Sequence, residues 1–417
     1  MAVAALPRVY ALSMKQLYAQ VIADVRDGKA GTVHPELYRA YCENLNKGVS
    51  GVLGRDSYGD RYSDMCDQFE ANVARFAAYK AFNVTQQLER QLADRDGVER
   101  SPEEFDRMAR AVLNTFNRYQ AAEYNTAVAR ARTAKQWADF SQGDNMFLFP
   151  NIRWLPSRSA NPREQHMPFY NRVWAKNDPF WNSNQPGNLW NCKCDWEETD
   201  DPVTGDNPEG IRPARGLEGN PAETGQIFTD ECTYVKKASV KGGQEVEEFF
   251  RPIAEHHQQY ISLRDNTDYQ EVHFDWGNGG LRGDHIEHNF DKTGGKYEKH
   301  VQTAGYKAGH AVILEAEPGT TYKQRYTEGL WDGKKFEVAG RETATENNVL
   351  KGLKHCARKG TTKIAVLDYP KGGFDQTTLE DAIKRYKGLE KLNDGQFIRF
   401  ERIICIQEET IVFETTL

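Results

Sequence analysis

The stretch from Asn151 to Glu198 constrains the fold more than any other part of the 417-residue chain. It contains five of the eight tryptophans: Trp154, Trp174, Trp181, Trp190 and Trp196. So many large aromatic side chains need to be buried, whereas the abundant Pro, Asn and Arg residues between them disfavour a regular helix. We therefore expect residues 141–198 to form a compact, irregular module that is held together by aromatic packing.

The module ends with the pair Cys192-Lys-Cys194. In an extended chain, side chains two residues apart point to the same side. Together with His166, the two thiols would supply three of the four ligands that zinc takes in proteins. The alternative is that these are two small buried thiols beside tryptophans, because the sequence reveals no fourth ligand.

The order of these residues resembles the head morphogenesis domain of the phage Mu F-like minor head proteins. The residues that carry the resemblance are Arg158, Arg163, His166, Asp178-Pro-Phe-Trp181, Pro186-Gly187 and Trp190-x-Cys192-x-Cys194. It implies a protein of the phage virion, made in the host cytoplasm and assembled with portal and capsid proteins. It also implies structural roles for Arg163, Asp178, Trp181 and Trp190, and it brings no catalytic residue.

Residues 1–140 are predicted to be helical. Segments with apolar residues near the 3.6-residue period are Met14–Val25, a segment from Glu36, and Tyr62–Ala93. Ser101-Pro102-Glu103-Glu104 combines a capping box with a proline at the first helical position, so it predicts a helix that runs towards Trp137.

Bulk properties exclude several classes of protein. No apolar run is long enough to cross a membrane, and the first residues lack the features of a secretory signal, so we expect no membrane partner. The seven cysteines are scattered and odd in number, which is not typical of a disulfide framework. A net charge of -7 means that any binding of nucleic acid must be local.

The composition changes sharply at residues 199–226. This segment has four prolines, five glycines and almost no large apolar residues, so it predicts a linker or a strap draped over the surface. Residues 227–267 are expected to form a helical spacer around Glu245–Leu263, with a kink at Arg251-Pro252.

Residues 268–417 are predicted to form a separate α/β (α+β) domain. The strand candidates are Ala311–Glu315, Lys334–Val338, Lys363–Leu367, Phe397–Ile406 and Thr410–Glu414. The helix candidates are Lys296–Ala308, Asn347–Arg358 and Thr378–Tyr386. The chain is thus expected to be multidomain: an α-helical N-terminal region, an irregular aromatic module that contains cysteines, and an α/β C-terminal domain.

Two kinds of chemistry fit the C-terminal residues. A metal-independent ribonuclease needs a base, an acid and a cation at the phosphate, and these could come from His285, His288, Arg341 and either Thr343 or Thr345, without a cofactor. The spacing of His285 and His288 places both on one side of a helical turn.

A metal-dependent nuclease would instead hold Mg²⁺ with carboxylates, here Glu298, Asp332 and Glu337. This scheme resembles the restriction-nuclease core, in which a Glu-x-Lys pair closes the site. This chain has Glu337-Val338-Ala339 at that place, which weakens the scheme.

A basic stripe of Lys351, Lys354 and Arg358 is predicted on one face of a helix. Such a stripe could contact a nucleic-acid backbone. It could equally be a solvated face, which is the commoner role of charged stripes.

The C-terminal motifs also resemble the nuclease domains of contact-dependent inhibition toxins and of phage-borne barnase-, colicin- and RelE-like ribonucleases. They are Tyr297-Glu298, Gly309-His310, Trp331-Asp332-Gly333, Phe336-Glu337-Val338 and Thr345-x-Asn347-Asn348. The resemblance implies an effector that cuts RNA, with tRNA as a possible target and an immunity protein as a possible partner. The alternatives are a catalytically silent domain of a structural virion protein, and a free cytoplasmic nuclease whose first half binds a partner.

Overall fold

The chain folds into two units that divide inside a helix. The computed structural model describes residues 14–54, 59–142, 145–204, 207–208, 210–290, 295–317, 326–341, 343, 345–392 and 400–416. The helical unit contains the described residues up to Phe250, and the α/β unit begins at Arg251. Among the helices described, none has the length and apolar character that a membrane span requires.

The helical unit is built on long amphipathic helices. Its helices are α1 (Met14–Arg26), α2 (Pro35–Leu53), α3 (Ser63–Glu89), α4 (Pro102–Phe140), the short α5 (Asn145–Leu148), α6 (Pro221–Thr224), α7 (Thr233–Lys237) and the first part of α8 (Val240–Arg264). The predicted capping box is confirmed, because Ser101 Oγ accepts a hydrogen bond from Glu104 N at 3.3 Å. The predicted helices in Met14–Val25, from Glu36 and in Tyr62–Ala93 correspond to α1, α2 and α3.

The tryptophan-rich stretch packs as a small sheet with an aromatic core. Strands β1 (Asn151–Leu155), β2 (Val173–Ala175) and β3 (Asp195–Thr199) pair antiparallel in the order β2-β1-β3. The buried cluster beneath them consists of Ile152, Trp154, Phe169, Trp174, Phe180, Trp181 and Trp196. Trp137 of α4 stacks on Trp196 with ring centroids 5.7 Å apart. Residues 1–140 and 141–198, predicted as separate regions, therefore belong to one unit.

The residues expected to be structural in this module brace its loops. Arg163 Nη2 donates to the carbonyl of Trp190 at 2.6 Å, and Asp178 Oδ1 accepts from the backbone N–H of Phe180 at 2.8 Å. Trp181 Nε1 donates to the carbonyl of Ala175 at 2.9 Å. The Trp190 ring stacks on Phe228 with centroids 5.6 Å apart.

The segment predicted as a linker, residues 199–226, is not where the chain divides. Its described part packs onto α4 as a strap, in which Leu217 and Pro221 are buried. The buried guanidinium of Arg130 donates to the carbonyls of Leu217, Glu218, Gly219 and Gln226. The prolines and glycines form tight turns against α4, so their abundance does not indicate flexibility here.

The helix expected at Glu245–Leu263 is longer on the N-terminal side. Helix α8 begins at Val240 and continues through Pro252 to Arg264, and the division between the two units falls inside it.

The α/β unit contains one mixed sheet of eight described strands. They are β4 (Tyr269–Asp275), β5 (Gly280–His285), β6 (Ala311–Leu314), β7 (Gly329–Trp331), β8 (Lys334–Gly340), β9 (Ile364–Tyr369), β10 (Arg402–Gln407) and β11 (Thr410–Thr416). The strands lie in sequence order across the sheet. Strands β5, β6, β8, β9 and β10 run parallel to one another, so their carboxyl ends share one edge.

Three further helices cover the two faces of this sheet: α9 (Gly295–Lys307), α10 (Glu346–Ala357) and α11 (Gln376–Leu392). Helix α9 packs on the face that includes Phe336 and Val338, and α10 and α11 pack on the face that includes Ala339 and Leu367. Neighbouring residues of a strand point to opposite faces, so each strand contributes to both cores. The elements α9, β6, β7, β8, α10 and β9 follow one another in the order α-β-β-β-α-β.

The predicted strands and helices of this unit are found, with two corrections. Strand β10 begins at Arg402, and the predicted residues 397–399 lie outside the described residues. Strands β4, β5 and β7 were not predicted. As a result, the helical turn expected around His285 and His288 is wrong: His285 ends β5, which pairs with β4 and β6, and His288 lies in the loop that follows.

Candidate functional site

Four buried carboxylates come together where strands of the α/β unit end. The carboxylate site consists of Glu298 in the first turn of α9, Glu317 after β6, Glu328 before β7, and Glu337 on β8. The last pair of the β7–β8 ladder is Gly329 with Phe336. One step further along the same register, Glu328 therefore lies opposite Glu337.

His288 connects the carboxylate site to the backbone. Its Nε2 lies 2.9 Å from Glu298 Oε2, and its Nδ1 lies 2.7 Å from the carbonyl of Glu315. Since a carbonyl can only accept, Nδ1 carries a proton. The donor atoms of His288, Glu298 and Glu328 all lie within 4.8 Å of one another, so a single ion could contact the three residues.

Two basic residues, one in the last turn of α10 and one just after it, reach the same carboxylates. Lys359 Nζ lies 3.4 Å from Glu337 Oε1 and 3.6 Å from Glu328 Oε1. His355 Nε2 lies 3.2 Å from Glu337 Oε1, and about half of the His355 side chain is exposed. The site is therefore buried at Glu337 and reaches the surface beside His355.

Among the described residues, the facing pair Glu328 and Glu337 has little positive charge beside it. Lys359 lies beside both carboxylates, while burial, with Lys359, lowers the pKa of His355 and favours its neutral form. If both acids are ionised, one ammonium group faces two negative charges. In addition, Oε2 of Glu328 and both oxygens of Glu337 are buried without a hydrogen bond of standard geometry. Buried acceptors of this kind need a proton or a cation.

Burial changes the acidity of the facing pair. It raises the pKa of Glu328, and the charge of Glu337 adds to the effect. Burial also raises the pKa of Glu337, although Lys359 opposes the shift. In the absence of a cation, one proton shared by these two carboxyl groups relieves their repulsion.

The side chains of the predicted histidine scheme make their hydrogen bonds and ring contacts with different neighbours. The His285 ring packs edge-on against Tyr269 at 5.1 Å, and its Nδ1 accepts from Glu287 N at 3.1 Å. Arg341 Nη1 donates to the carbonyl of Asn348 at 2.8 Å, and Asn348 donates to Thr343. Among these described residues, no side-chain contact joins His285 to His288, Arg341, Thr343 or Thr345.

The predicted carboxylate scheme is corrected at one position. Asp332 lies in the tight turn between β7 and β8, where Asp332 and Gly333 have φ values of 48° and 75°. Its Oδ2 lies 2.9 Å from His310 Nδ1 and 3.4 Å from Arg402 Nη1. Five residues of extended strand, roughly 16 Å, separate it from Glu337, so the two cannot share an ion. The acid that joins Glu298 and Glu337 is Glu328.

Glu328 and Lys359 were missed by sequence reasoning, but Glu328 had a usable signal. Asp-Gly between two strand patterns predicts a two-residue hairpin with both central residues at positive φ. Counting outwards from that turn pairs residue 331 with 334, and therefore 328 with 337. The sequence has no comparable signal for Lys359, because its position depends on where α10 ends.

The predicted basic stripe lies next to the carboxylate site. On α10, Lys351 is exposed and Lys354 is half-buried, and Arg358, the residue after the last turn of α10, is exposed. They share the helix with His355, which contacts Glu337. The sheet edge is thus acidic where it is buried and basic at the adjoining surface.

In the helical unit, the predicted thiol and imidazole ligands do meet. The thiol-imidazole site consists of His166, Cys192 and Cys194. His166 Nδ1 lies 3.3 Å from Cys192 Sγ and 3.5 Å from Cys194 Sγ. The hydrogen bond with Cys194, opposed by burial and assisted by His166, lowers the pKa of Cys192.

The function of neither site can be inferred from a similar known protein. Comparisons with protein families, with curated proteins and with solved structures found no match to this chain.

Proposed function

We propose that the α/β unit is a nuclease that uses a divalent metal ion held by Glu298 and Glu328, with Glu337 facing Glu328 beside the ion. The observation that supports this most strongly is the facing pair Glu328 and Glu337, buried without enough positive charge. Carboxylate oxygens are the ligands that Mg²⁺ prefers. A bound divalent ion would polarise a phosphoryl oxygen and make a bound water more acidic.

The chain's own residues fit the remaining tasks of such a site. Glu298 is oriented by His288, whose other nitrogen is fixed by a backbone carbonyl, as outer-shell partners of metal ligands usually are. Lys359 approaches Glu328 and Glu337 and is placed to stabilise negative charge on a phosphate. Lys351 and Arg358, on the adjoining surface, can attract a nucleic-acid backbone.

The α-β-β-β-α-β order and the placement of the acids resemble the restriction-nuclease core. The Glu-x-Lys pair of that core is absent, since Ala339 follows Glu337 by two residues. Lys359 brings an ammonium group to the same carboxylate from α10. We infer that it takes the place of the missing lysine.

The histidine scheme is the second candidate, and its support is weaker. It needs His285 to act with His288 and Arg341, and the three side chains have different neighbours. Of its residues, we retain His288 as the partner of Glu298. RNA, including tRNA, remains the proposed substrate, and an immunity protein remains a proposed partner.

For the helical unit we propose an assembly role in a phage head, next to portal and capsid proteins. The support is the ordered packing of the residues that resemble the Mu F-like module, from Arg163 to Trp190. The proposal requires that the protein co-purify with virions and be encoded beside portal and capsid genes.

The nuclease proposal can be tested with the full chain. Single-stranded RNA, tRNA and duplex DNA are incubated with the protein in Mg²⁺ and in EDTA. We expect cleavage only in Mg²⁺, and Glu298→Gln and Glu337→Gln should each lower it at least about 100-fold, because a metal's charge stabilisation is worth several kcal/mol.

Two matched variants serve as controls. His285→Ala and Asp332→Asn alter the other predicted site residues and should retain cleavage. Cleavage that survives EDTA and disappears in His285→Ala would favour the histidine scheme. Absence of cleavage with every substrate, in a folded protein, would favour a catalytically silent domain.

A further inference from the structure

We propose that His166, Cys192 and Cys194 bind a zinc ion in the helical unit, independently of the nuclease site. The first support for a zinc site comes from the distances between the donor atoms. Zinc bonds to thiolate sulfur at about 2.3 Å and to imidazole nitrogen at about 2.1 Å, so tetrahedral ligands place sulfur and nitrogen roughly 3.5 Å apart. His166 Nδ1 lies 3.3 and 3.5 Å from the two sulfurs.

The hydrogen bonds around His166 fix its tautomer. Asn188 Nδ2 donates to the carbonyl of Ser183 at 3.0 Å, which orients the amide and turns Oδ1 towards the ring. Asn188 Oδ1 then accepts from His166 Nε2 at 2.8 Å. Nε2 therefore carries the proton, and in the neutral ring the lone pair of Nδ1 points at both sulfurs. A ligating histidine in proteins typically has this arrangement.

The surroundings provide donors for a thiolate. Trp154 Nε1 and Tyr170 Oη are buried polar atoms without a hydrogen bond of standard geometry, and both interact with the Cys194 sulfur. The Trp154 side chain is 0% exposed, and its ring packs edge-on against His166 at 5.1 Å. Donors beside a metal-bound sulfur are a usual feature of the outer shell of such sites.

The backbone holds the two cysteines in place. Asn191, just before Cys192, has a positive φ of 58° and donates its backbone N–H to Thr126 Oγ1 of α4 at 2.8 Å. Asn125 of α4 donates to Asn191 Oδ1 at 3.0 Å. The left-handed turn at Asn191 is thus anchored on a long helix directly before Cys192, which contacts His166.

A fourth ligand can come from solvent. A cavity of about 230 Å³ borders Cys192 and Cys194 and is also lined by Thr133, Arg158 and Asp195. Asp195 already accepts from Gln136 and Arg158. A water molecule in this cavity, beside Thr133 and Asp195, is therefore the expected fourth ligand.

The test uses the purified full chain and measures bound zinc and cobalt. We expect one zinc per chain after dialysis and, after exchange, a near-ultraviolet sulfur-to-cobalt charge-transfer band. Both should be lost in Cys192→Ser and in Cys194→Ser. They should persist in Cys232→Ser, which alters another buried cysteine of the helical unit, and in Glu298→Gln, which alters the carboxylate site.

A second measurement avoids variants that fail to fold. Alkylation of the wild-type protein, followed by mass spectrometry, should modify Cys192 and Cys194 at least tenfold faster after chelation, with no change at Cys232. Absence of bound zinc, a charge-transfer band that survives both serine variants, or alkylation rates unaffected by chelation would each overturn the proposal.

Discussion

The two units of this protein bury charge in opposite ways. In the helical unit, the Lys80 ammonium and the Glu123 carboxylate are both buried and form an ion pair. Tyr234 Oη donates to the other oxygen of Glu123 at 2.7 Å, and Lys80 Nζ lies 4.3 Å from the centre of the Tyr41 ring. In the α/β unit, Glu328 and Glu337 face each other, and among the described residues one cation, Lys359, is shared between them.

The difference separates structural charges from functional ones. A buried charge whose partners are all in the protein is stable without a ligand, and its removal leaves the partner uncompensated. A buried carboxylate with unsatisfied oxygens destabilises the fold, so it is retained for something that it binds. Stability measurements can test this contrast, because the two kinds of site predict effects of opposite sign.

The largest effect is expected for Lys80→Met in the helical unit. The variant leaves the Glu123 carboxylate buried without its cation, so it should lower the free energy of unfolding by about 3–5 kcal/mol. Denaturant unfolding followed by tryptophan fluorescence measures the change. The double variant with Glu123→Leu should recover most of the loss, since no charge is then left unpaired. A double variant as unstable as Lys80→Met would show that packing, rather than charge, matters here.

A smaller loss is expected for Arg130→Met. The guanidinium of Arg130 donates to four carbonyls of the strap that was predicted to be a linker. Its removal should cost about 3 kcal/mol, because hydrogen bonds from a charged group contribute about 1.5–3 kcal/mol each and water replaces some of them. Limited proteolysis should then cut within residues 210–226. Arg132→Met, on the same helix, is the control, and equal cleavage in both variants would contradict the proposed clamp.

The smallest effect, and one of opposite sign, is expected for Glu337→Gln. The neutral amide removes the need to take up a proton at this buried pair, so without metal at neutral pH the α/β unit should gain about 1 kcal/mol of stability while nuclease activity falls. Mg²⁺ at a hundredfold excess over its Kd should stabilise the wild type by about 2.7 kcal/mol and the variant much less. Loss of stability in Glu337→Gln without metal would mean that Glu337 is a structural charge like Glu123.

Local signals in the sequence predicted much of the fold. The proline and glutamates after Ser101 identify the start of α4, and β-branched or aromatic residues identify β6, β8 and β9, because these patterns act within a few residues. The glycine-rich run before His285 was misleading. Gly280 and Gly283 lie within β5, and a Cβ at Gly280 would meet the carbonyl oxygen of Tyr306 at 2.1 Å. There, glycine indicates close approach of two backbone segments rather than a loop.

The sites were predictable to different degrees. His166, Cys192 and Cys194 were identified because a short spacing and one aromatic module bring them together. Glu298 and Glu337 were identified by residue type, but Lys359 depends on packing between α10 and β8, which no local pattern encodes. The short spacing of His285 and His288 along the chain predicts that they act together. In the structure β5 ends at His285, and the two rings contact different neighbours.

The turn at Asp332 and Gly333 sets the register of the β7–β8 pair. The carboxylate site lies at the other end of that pair. Every residue of β7 finds its partner on β8 by counting from that turn, so an added residue that shifts the register by one would place Glu328 on the other side of the sheet from Glu337. Each acid would remain chemically intact, and the hairpin would still close. The length of this turn therefore determines whether Glu328 faces Glu337. Insertions that most surface turns tolerate should be excluded from this one.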